Sequence, residues 1–566
     1  MRALVVSAVV CALVTGTAHA QGGGAAPSPP APADLIVTAR HIYTVDADRP
    51  TARALAVRGG LVAFAGSVRE AMALKGPRTR LLDLGDLTII PGIVDAHAHL
   101  LGLGESLRRV DLKGTRSYEE VIQRVAARAR EMKPGEWIEG RGWNQNDWTD
   151  TRFPTLEALS RAVPDNPVRL KRVDGHAVLV NAQALALAGV TSATPDPTGG
   201  RIIRNADGSP TGVFVDDAMD LIERVVPPPS TDEVRAEVLA AVAEANRWGL
   251  TGIHDAGVEA PTLDVYEALA RAGQLKLRNY VMVAGDSGPT LVRYLRRGPQ
   301  NALYGGHLWI RAVKLYADGA MGSRGAALLE DYSDEPGNRG LVTTGQDSIR
   351  TIAIAALRAG FQVCVHAIGD RANRMVLDAY QAALDSVPTS DHRFRIEHAQ
   401  ILNRFDIPRF AELGVIPSMQ TSHQTSDMYW VMNRLGWTRV QGAYAWRSLL
   451  NTGVVLPNGT DFPVEAVNPM IRFHSAITRQ DADGWPAGGW FPAERMTRDE
   501  ALESMTIWPA WAAFMEQVAG SLTPGKYADF TVLNQDIMTV APERILETHV
   551  VMTVLGGETV YRRSAP

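Results

Sequence analysis

The hydrophobic pattern of this chain changes character twice. From Asp34 to about Asp86 it consists of short β-type runs at residues 35–38, 54–57 and 61–64, with Gly59-Gly60 between the last two. Paired glycines supply the positive φ angles of a tight hairpin turn. The far C-terminus repeats the arrangement, with runs at 530–533, 550–554 and 559–561 and Gly556-Gly557 between the last two. Neither end holds enough strands for a core of its own, so the two termini are expected to pair into one small discontinuous β-domain. In the long middle, strand-like apolar runs alternate with helix-like stretches, the pattern of a parallel α/β architecture. Eight strand candidates end near His99, Asp255, Val283, Lys314, His366, His398, Gln420 and Asp461. Eight parallel strands predict a closed (β/α)8 TIM barrel, with its chemistry at the C-terminal strand ends.

Helix starts are legible as well. Ser230-Thr231-Asp232-Glu233 and Thr497-Arg498-Asp499-Glu500 both read as capping boxes. The interval from about 104 to 226 is too long for a simple connection between the first and second barrel strands and reads as an insertion. Its aromatic and polar groups around Trp143 and Trp148 suit either a cover for the barrel mouth or the insertion's own core.

At 566 residues the chain exceeds one hydrophobic core. Arg2, the apolar stretch from Ala3 to Val14 and the small-x-small site Ala18-His19-Ala20 predict a signal peptide over 1–20, cut after Ala20, and hence a periplasmic or secreted protein. Residues 21–33, rich in Gly and Pro, form an expected linker. The remaining division is 34–86 for the first part of the β-domain, 87–519 for the barrel with its insertion, and 520–566 for the second part. Lys plus Arg total 57 against 62 acidic residues, with no basic run. That balance argues against nucleic acid or a membrane surface as partner and favours a small molecule, while leaving a homo-oligomer open. Of the two cysteines, Cys11 falls in the signal, so the mature chain forms no internal disulfide. Cys364 lies one pleat deeper than His366 and reads as a core thiol.

The candidate chemistry begins at Asp95-Ala96-His97-Ala98-His99, after the apolar run 87–94. On a strand, residues i and i+2 share a face, so His97 and His99 can reach one ion. Four more ligand-type residues, Lys314, His366, His398 and Asp461, each end an apolar run of their own. Imidazoles and carboxylates suit Zn²⁺ and its neighbours. Lys314 is the odd member. It reads either as a salt-bridged or snorkelling side chain, or as a desolvated neutral amine able to take up CO₂ as a carbamate.

Six stretches in order carry a family resemblance: 91–99, 314–324, 365–373, Glu397-His398-Ala399-Gln400, Gly459-Thr460-Asp461-Phe462-Pro463 and 520–530. From about Asp34 to Tyr561 the chain resembles the amidohydrolase superfamily, and within it amidohydrolase family 3, which includes the N-substituted formamide deformylases. The resemblance implies a TIM barrel with a small β-sandwich and one or two divalent ions, zinc or another transition metal. It implies metal held by His97, His99, His366 and His398, a carboxylated Lys314 as bridge, and Asp461 as ligand and proton shuttle.

The function expected is an exported metal-dependent amidohydrolase that cleaves an amide, formamide, carbamate or cyclic amide with a metal-activated water. Zn²⁺ lowers the pKa of such a water from 15.7 to about 7. An ester, lactone or phosphoester hydrolase on the same site is the alternative, and a non-catalytic metal-binding protein a third. His254 and His423, at or just after strand ends, are candidates for touching substrate or orienting a ligand, or are ordinary hydrogen-bonded histidines. Arg324 and Arg371 lie in loops after metal-bearing strands, where they either grip substrate or tie the loops by ion pairs. His176, from the insertion, is a further candidate for substrate contact.

Overall fold

The computed structural model describes residues 31–564 apart from 173–176, 198–199, 286–287 and 323. The expected signal peptide, nearly all of the linker, and His176 therefore lie outside the described residues.

The centre of the fold is a parallel sheet curled into a barrel. Its strands are β1 (Ile93–Ala98), β2 (Leu250–Val258), β3 (Arg278–Ala284), β4 (Leu308–Tyr316), β5 (Gln362–Ala367), β6 (Arg395–His398) and β7 (Ile416–Ser418), and they neighbour one another in chain order. Every neighbouring pair is parallel. These strands read as near-continuous apolar runs because both faces are buried, one in the barrel and one under the helices. The helix Thr231–Arg247 opens with the Ser230–Glu233 capping box and Arg498–Glu503 with the Thr497–Glu500 box, as their sequences predict.

The eighth strand expected to end at Asp461 is not a regular strand. Residues 456–461 close the barrel through separate backbone hydrogen bonds, two to β7's end (Met419 N to Pro457 O, Gly459 N to Met419 O) and two to β1 (Ala96 N to Asn458 O, Asp461 N to His97 O). Pro457 has no N–H to give a ladder, and Asp461 takes a left-handed φ of 60°. Gly459 passes so close to β1 that a Cβ there would lie 2.5 Å from His97 N.

The apolar run 87–94 also divides. Thr88–Pro91 pairs with Phe530–Leu533 and with His41 and Ile42 in the terminal sheet, and only Ile93 onward enters the barrel. Gly92 marks the division, with Thr251 Oγ1 2.1 Å from where its Cβ would be. The terminal sheet has eight strands from both ends of the chain and forks at Leu35–Tyr43, which pairs with both Arg80–Asp83 and Thr88–Pro91 along one edge. Leu35, Val37, Leu55, Val57, Phe530 and Val532 pack in its core. Both Gly-Gly pairs take positive φ angles at their turns.

Leu100–Arg108, which follows β1, is a barrel helix, so the insertion proper begins near Val110. It folds around a six-stranded sheet of its own. Trp143 and Trp148 are buried in that unit's core, and their indole N–H groups donate to Leu170 O and Thr115 O. They belong to the insertion's interior and do not form a lid. Cys364 is a buried core thiol. Among the described residues no helix is long and apolar enough to cross a membrane.

Because the closing segment grazes β1, Gly459→Ala should cost about 1–3 kcal/mol of stability through overpacking. Gly345→Ala, where a Cβ meets nothing within 4 Å and only the N-cap of the following helix is altered, should cost no more than about 1 kcal/mol. Urea unfolding of both variants measures the difference.

Candidate metal centre

Strand alternation explains part of the site, and backbone strain explains the rest. On β6 the alternate residues Arg395 and Glu397 point into the barrel, both fully buried. His398 should then face outward. Its left-handed φ of 73°, followed by 41° at Ala399, swings the imidazole back over the mouth. Asp461 reaches the same place with its φ of 60°. Such conformations cost of order 1–3 kcal/mol each and persist only where surrounding structure imposes them. Here Asp95 imposes one. Its carboxylate accepts from Thr460 N at 3.0 Å, Thr460 Oγ1 at 2.8 Å and His97 N at 3.2 Å, and pairs with the buried Arg472 at 3.5 Å.

The result is a cluster of side chains at the C-terminal end of the barrel. The His97 and His398 rings are 4.8 Å apart, His366 and His398 4.6 Å, and His97 and His99 5.7 Å. Asp461 Oδ1 lies 3.1 Å from His99 Nε2 and 3.7 Å from His97 Nε2, while Oδ2 lies 3.9 Å from His423 Nε2. Three imidazoles are fixed by an acceptor at Nδ1: His97 by Glu397 at 2.5 Å, His99 by the Ala256 carbonyl at 3.0 Å and His398 by Gln420 Oε1 at 2.7 Å. An acceptor at Nδ1 puts the proton there and leaves Nε2 as a bare lone pair. The Nε2 lone pair of His99 therefore faces a carboxylate oxygen at 3.1 Å, two acceptors in contact, which only a proton or a cation between them makes favourable.

The buried Nε2 atoms of His97, His366 and His423, together with Asp461 Oδ1, have no hydrogen-bond partner among the described residues. Two donor triads are close enough to hold an ion, His97–His99–Asp461 and His398–His423–Asp461, sharing the carboxylate. This all-nitrogen-and-oxygen set fits a zinc-type divalent cation.

Electrostatics agree with that fit. Burial, aided by the charge of Lys314, brings His97 down to about 4 and His366 to about 3 from the ordinary 6.5. Burial also holds His398 well below that value, next to the His366 and His97 rings. Burial alone would raise Asp461, and a donor proton at the His99 contact is the main opposing influence that holds the carboxyl well below its usual range. The centre thus presents neutral imidazoles and an ionised carboxylate, the protonation states that bind metal.

Lys314, buried on β4, places Nζ 4.4 Å from the Tyr316 ring centroid, beside the cluster. Among the described residues it forms no ion pair. His423 lies within the cluster, in a triad with His398 and Asp461, its ring stacked on His398 at 5.9 Å. His254 departs from the expected substrate role: it is buried a layer below, and its Nδ1 meets Arg395 Nη1 at 2.8 Å. Arg324 also departs from it, because ion pairs with Asp334 and Glu335 hold its guanidinium. Arg371 is exposed on the first turn of the helix Asp370–Ser386.

Sequence reasoning passed over Glu397, Arg395, Asp95 and Asp318. Asp318 accepts three backbone N–H groups, lies 3.5 Å from His366 Nε2, and is pushed up to about 7 by burial. Charged residues inside strands were the available signal for Asp95, Arg395 and Glu397, whereas Asp318 lies two positions past the end of β4.

The profile described as "Amidohydrolase family" matches residues 80–561. Protein LONG AFTER FAR-RED 3 of Arabidopsis thaliana is 35% identical, covering 94% of this chain and 92% of its own. The N-substituted formamide deformylase of Arthrobacter pascens is 28% identical over 94% of this chain and 99% of its own. A solved structure described as an uncharacterized metal-dependent hydrolase from Pyrococcus furiosus superposes with a TM-score of 0.75 at 28% identity, covering 89% of this chain and all of that one.

Burial disfavours the charged ring, so in metal-stripped protein His97 and His366 should remain neutral at pH 5.5, where unperturbed imidazoles would be about 90% protonated. The ¹⁵N chemical shifts of the two rings measure this directly.

Proposed function

The chain belongs to the amidohydrolase family, a family of metal-dependent hydrolases, and on that footing we propose that it hydrolyses a non-peptide C–N bond in a small amide, formamide, carbamate or cyclic amide. The observation that carries the reading is the convergence of inward-facing imidazole Nε2 atoms on the Asp461 carboxylate. His97, His99, His366, His398 and Asp461 would hold the metal, with His423, the third member of the His398–Asp461 triad, as a further donor and Lys314 beside them. Bound there, a divalent ion supplies Lewis acidity, making water a better nucleophile at neutral pH and polarising a carbonyl.

The chain's own groups account for the remaining requirements. Asp461, ionised and almost fully buried, accepts the proton that an attacking water loses. It then returns that proton to the departing nitrogen, which leaves poorly as an anion. The contacts of Asp95 with Thr460 and of the Asp461 amide with the His97 carbonyl keep this carboxylate at the mouth, so it needs no reorganisation during the reaction. The deformylase likeness supports a C–N bond as the target. We also propose export, on the charged, apolar and small-x-small order of residues 1–20.

The test is amine release from a panel of N-formyl, N-acyl and cyclic amides, with matched esters alongside, using the zinc-loaded protein. Amide turnover should exceed ester turnover relative to the uncatalysed rates. His97→Ala should abolish zinc-dependent turnover by removing a metal ligand, and Asp461→Asn should lower kcat/KM by about 10²–10⁴-fold, with circular dichroism unchanged. Full activity in either variant, or a large ester preference, contradicts the proposal.

A further inference from the structure

Beneath the imidazole cluster lies a charged group that the hydrolytic chemistry does not itself require. Arg395, fully buried in the barrel, spans several strands. Its Nη2 donates to Ala96 O on β1 at 2.7 Å, to Ser418 Oγ on β7 at 2.8 Å and to Glu397 Oε2 at 2.9 Å. Its Nη1 meets His254 Nδ1 on β2 at 2.8 Å, and its Nε lies 2.7 Å from Glu397 Oε1. Glu397 is fully buried too, and its Oε2 is 2.5 Å from His97 Nδ1.

A pair of opposite charges in a barrel core is costly to desolvate, and an apolar pair of similar volume often stabilises a fold as well or better. Packing alone therefore does not explain why these two residues stand here. Their geometry does. Both oxygens of the Glu397 carboxylate lie against the Arg395 guanidinium, Oε1 by charge at 2.7 Å and Oε2 by a hydrogen bond, and Oε2 also meets His97 Nδ1. A carboxylate only accepts, so Nδ1 carries the proton and Nε2 points as a lone pair toward Asp461, 3.7 Å away. The other two fixed imidazoles rest on neutral acceptors, a backbone carbonyl for His99 and an amide oxygen for His398. Of these three, only His97 is backed by a charge.

We infer that Glu397, clamped by Arg395, is a positioning residue that selects the Nε2 lone-pair tautomer of His97 and strengthens that imidazole as a metal ligand. The inference rests on the metal-centre reading, and it places the decisive support for the site one layer down, in a carboxylate that touches neither metal nor substrate. Arg395 acts through Glu397 and simultaneously pins the β1 backbone at Ala96, the residue before His97.

The test uses metal affinity and ring protonation, neither of which needs a substrate. Zinc dissociation constants, measured by competition with a chromophoric chelator, should be about 10–100-fold weaker in Glu397→Gln than in wild type. Glu397→Asp, which keeps the charge, should recover part of the loss. In metal-stripped wild type, the ¹⁵N spectrum should show His97 protonated at Nδ1, and in Glu397→Gln a mixture of tautomers, with His99 and His398 unchanged. Wild-type affinity in a folded Glu397→Gln protein overturns the inference, and so does a wild-type His97 protonated at Nε2. The wild-type spectrum decides even if the variant fails to fold. If amide hydrolysis fails while these results hold, the substrate reading falls and this one stands. A wild-type protein without zinc affinity overturns both.

Discussion

The hydrogen bond from the Asp461 amide to the His97 carbonyl, 2.7 Å long, is the contact on which the rest of the site depends. It joins the last barrel segment to the first strand across 364 positions of sequence and brings the shared carboxylate to the first pair of imidazoles. The segment that makes it is irregular because its duties conflict with those of a strand. It must run against β1 at Gly459, offer no N–H at Pro457, and turn left-handed at Asp461. Asp95 and Arg472, both fully buried, hold that compromise in place from beneath.

Charge within the barrel is arranged by depth. At the mouth stand neutral imidazoles and an ionised Asp461, whose acceptor atoms face one another. One layer down, Arg395 and Glu397 balance each other and bond to groups on three further strands. Lys314 lies between, close enough for its charge to depress both His97 and His366. The upper layer leaves acceptor meeting acceptor, while the lower layer pairs a guanidinium with a carboxylate. That contrast marks where a cation belongs and where the protein has neutralised itself.

Much of this was legible in the residues alone. Apolar runs that end in His, Lys or Asp located the barrel strands and their functional ends, and the Gly-Gly hairpins located both halves of the terminal sheet. The failures have physical causes. The run 87–94 is apolar throughout because both sheets bury it, so its division at Gly92 leaves no trace in the pattern. Strict alternation on β6 sends Glu397 inward and His398 outward, and no sequence rule shows the left-handed turn that brings both to the site. Trp143 and Trp148 have compositions that suit a lid or a core, and only the insertion's own sheet decides between them. The role of Glu397 was hidden beside a more conspicuous histidine, although Arg395-x-Glu397 inside a buried strand was itself a visible anomaly.

The central claim is that distant side chains share a cation at the barrel mouth, and zinc K-edge X-ray absorption on the loaded protein tests it most directly. The account predicts a nitrogen and oxygen shell near 2.0–2.1 Å with outer-shell scattering from at least two imidazoles per ion and no sulfur. A sulfur shell near 2.3 Å, or an oxygen shell with no imidazole scattering, would contradict it.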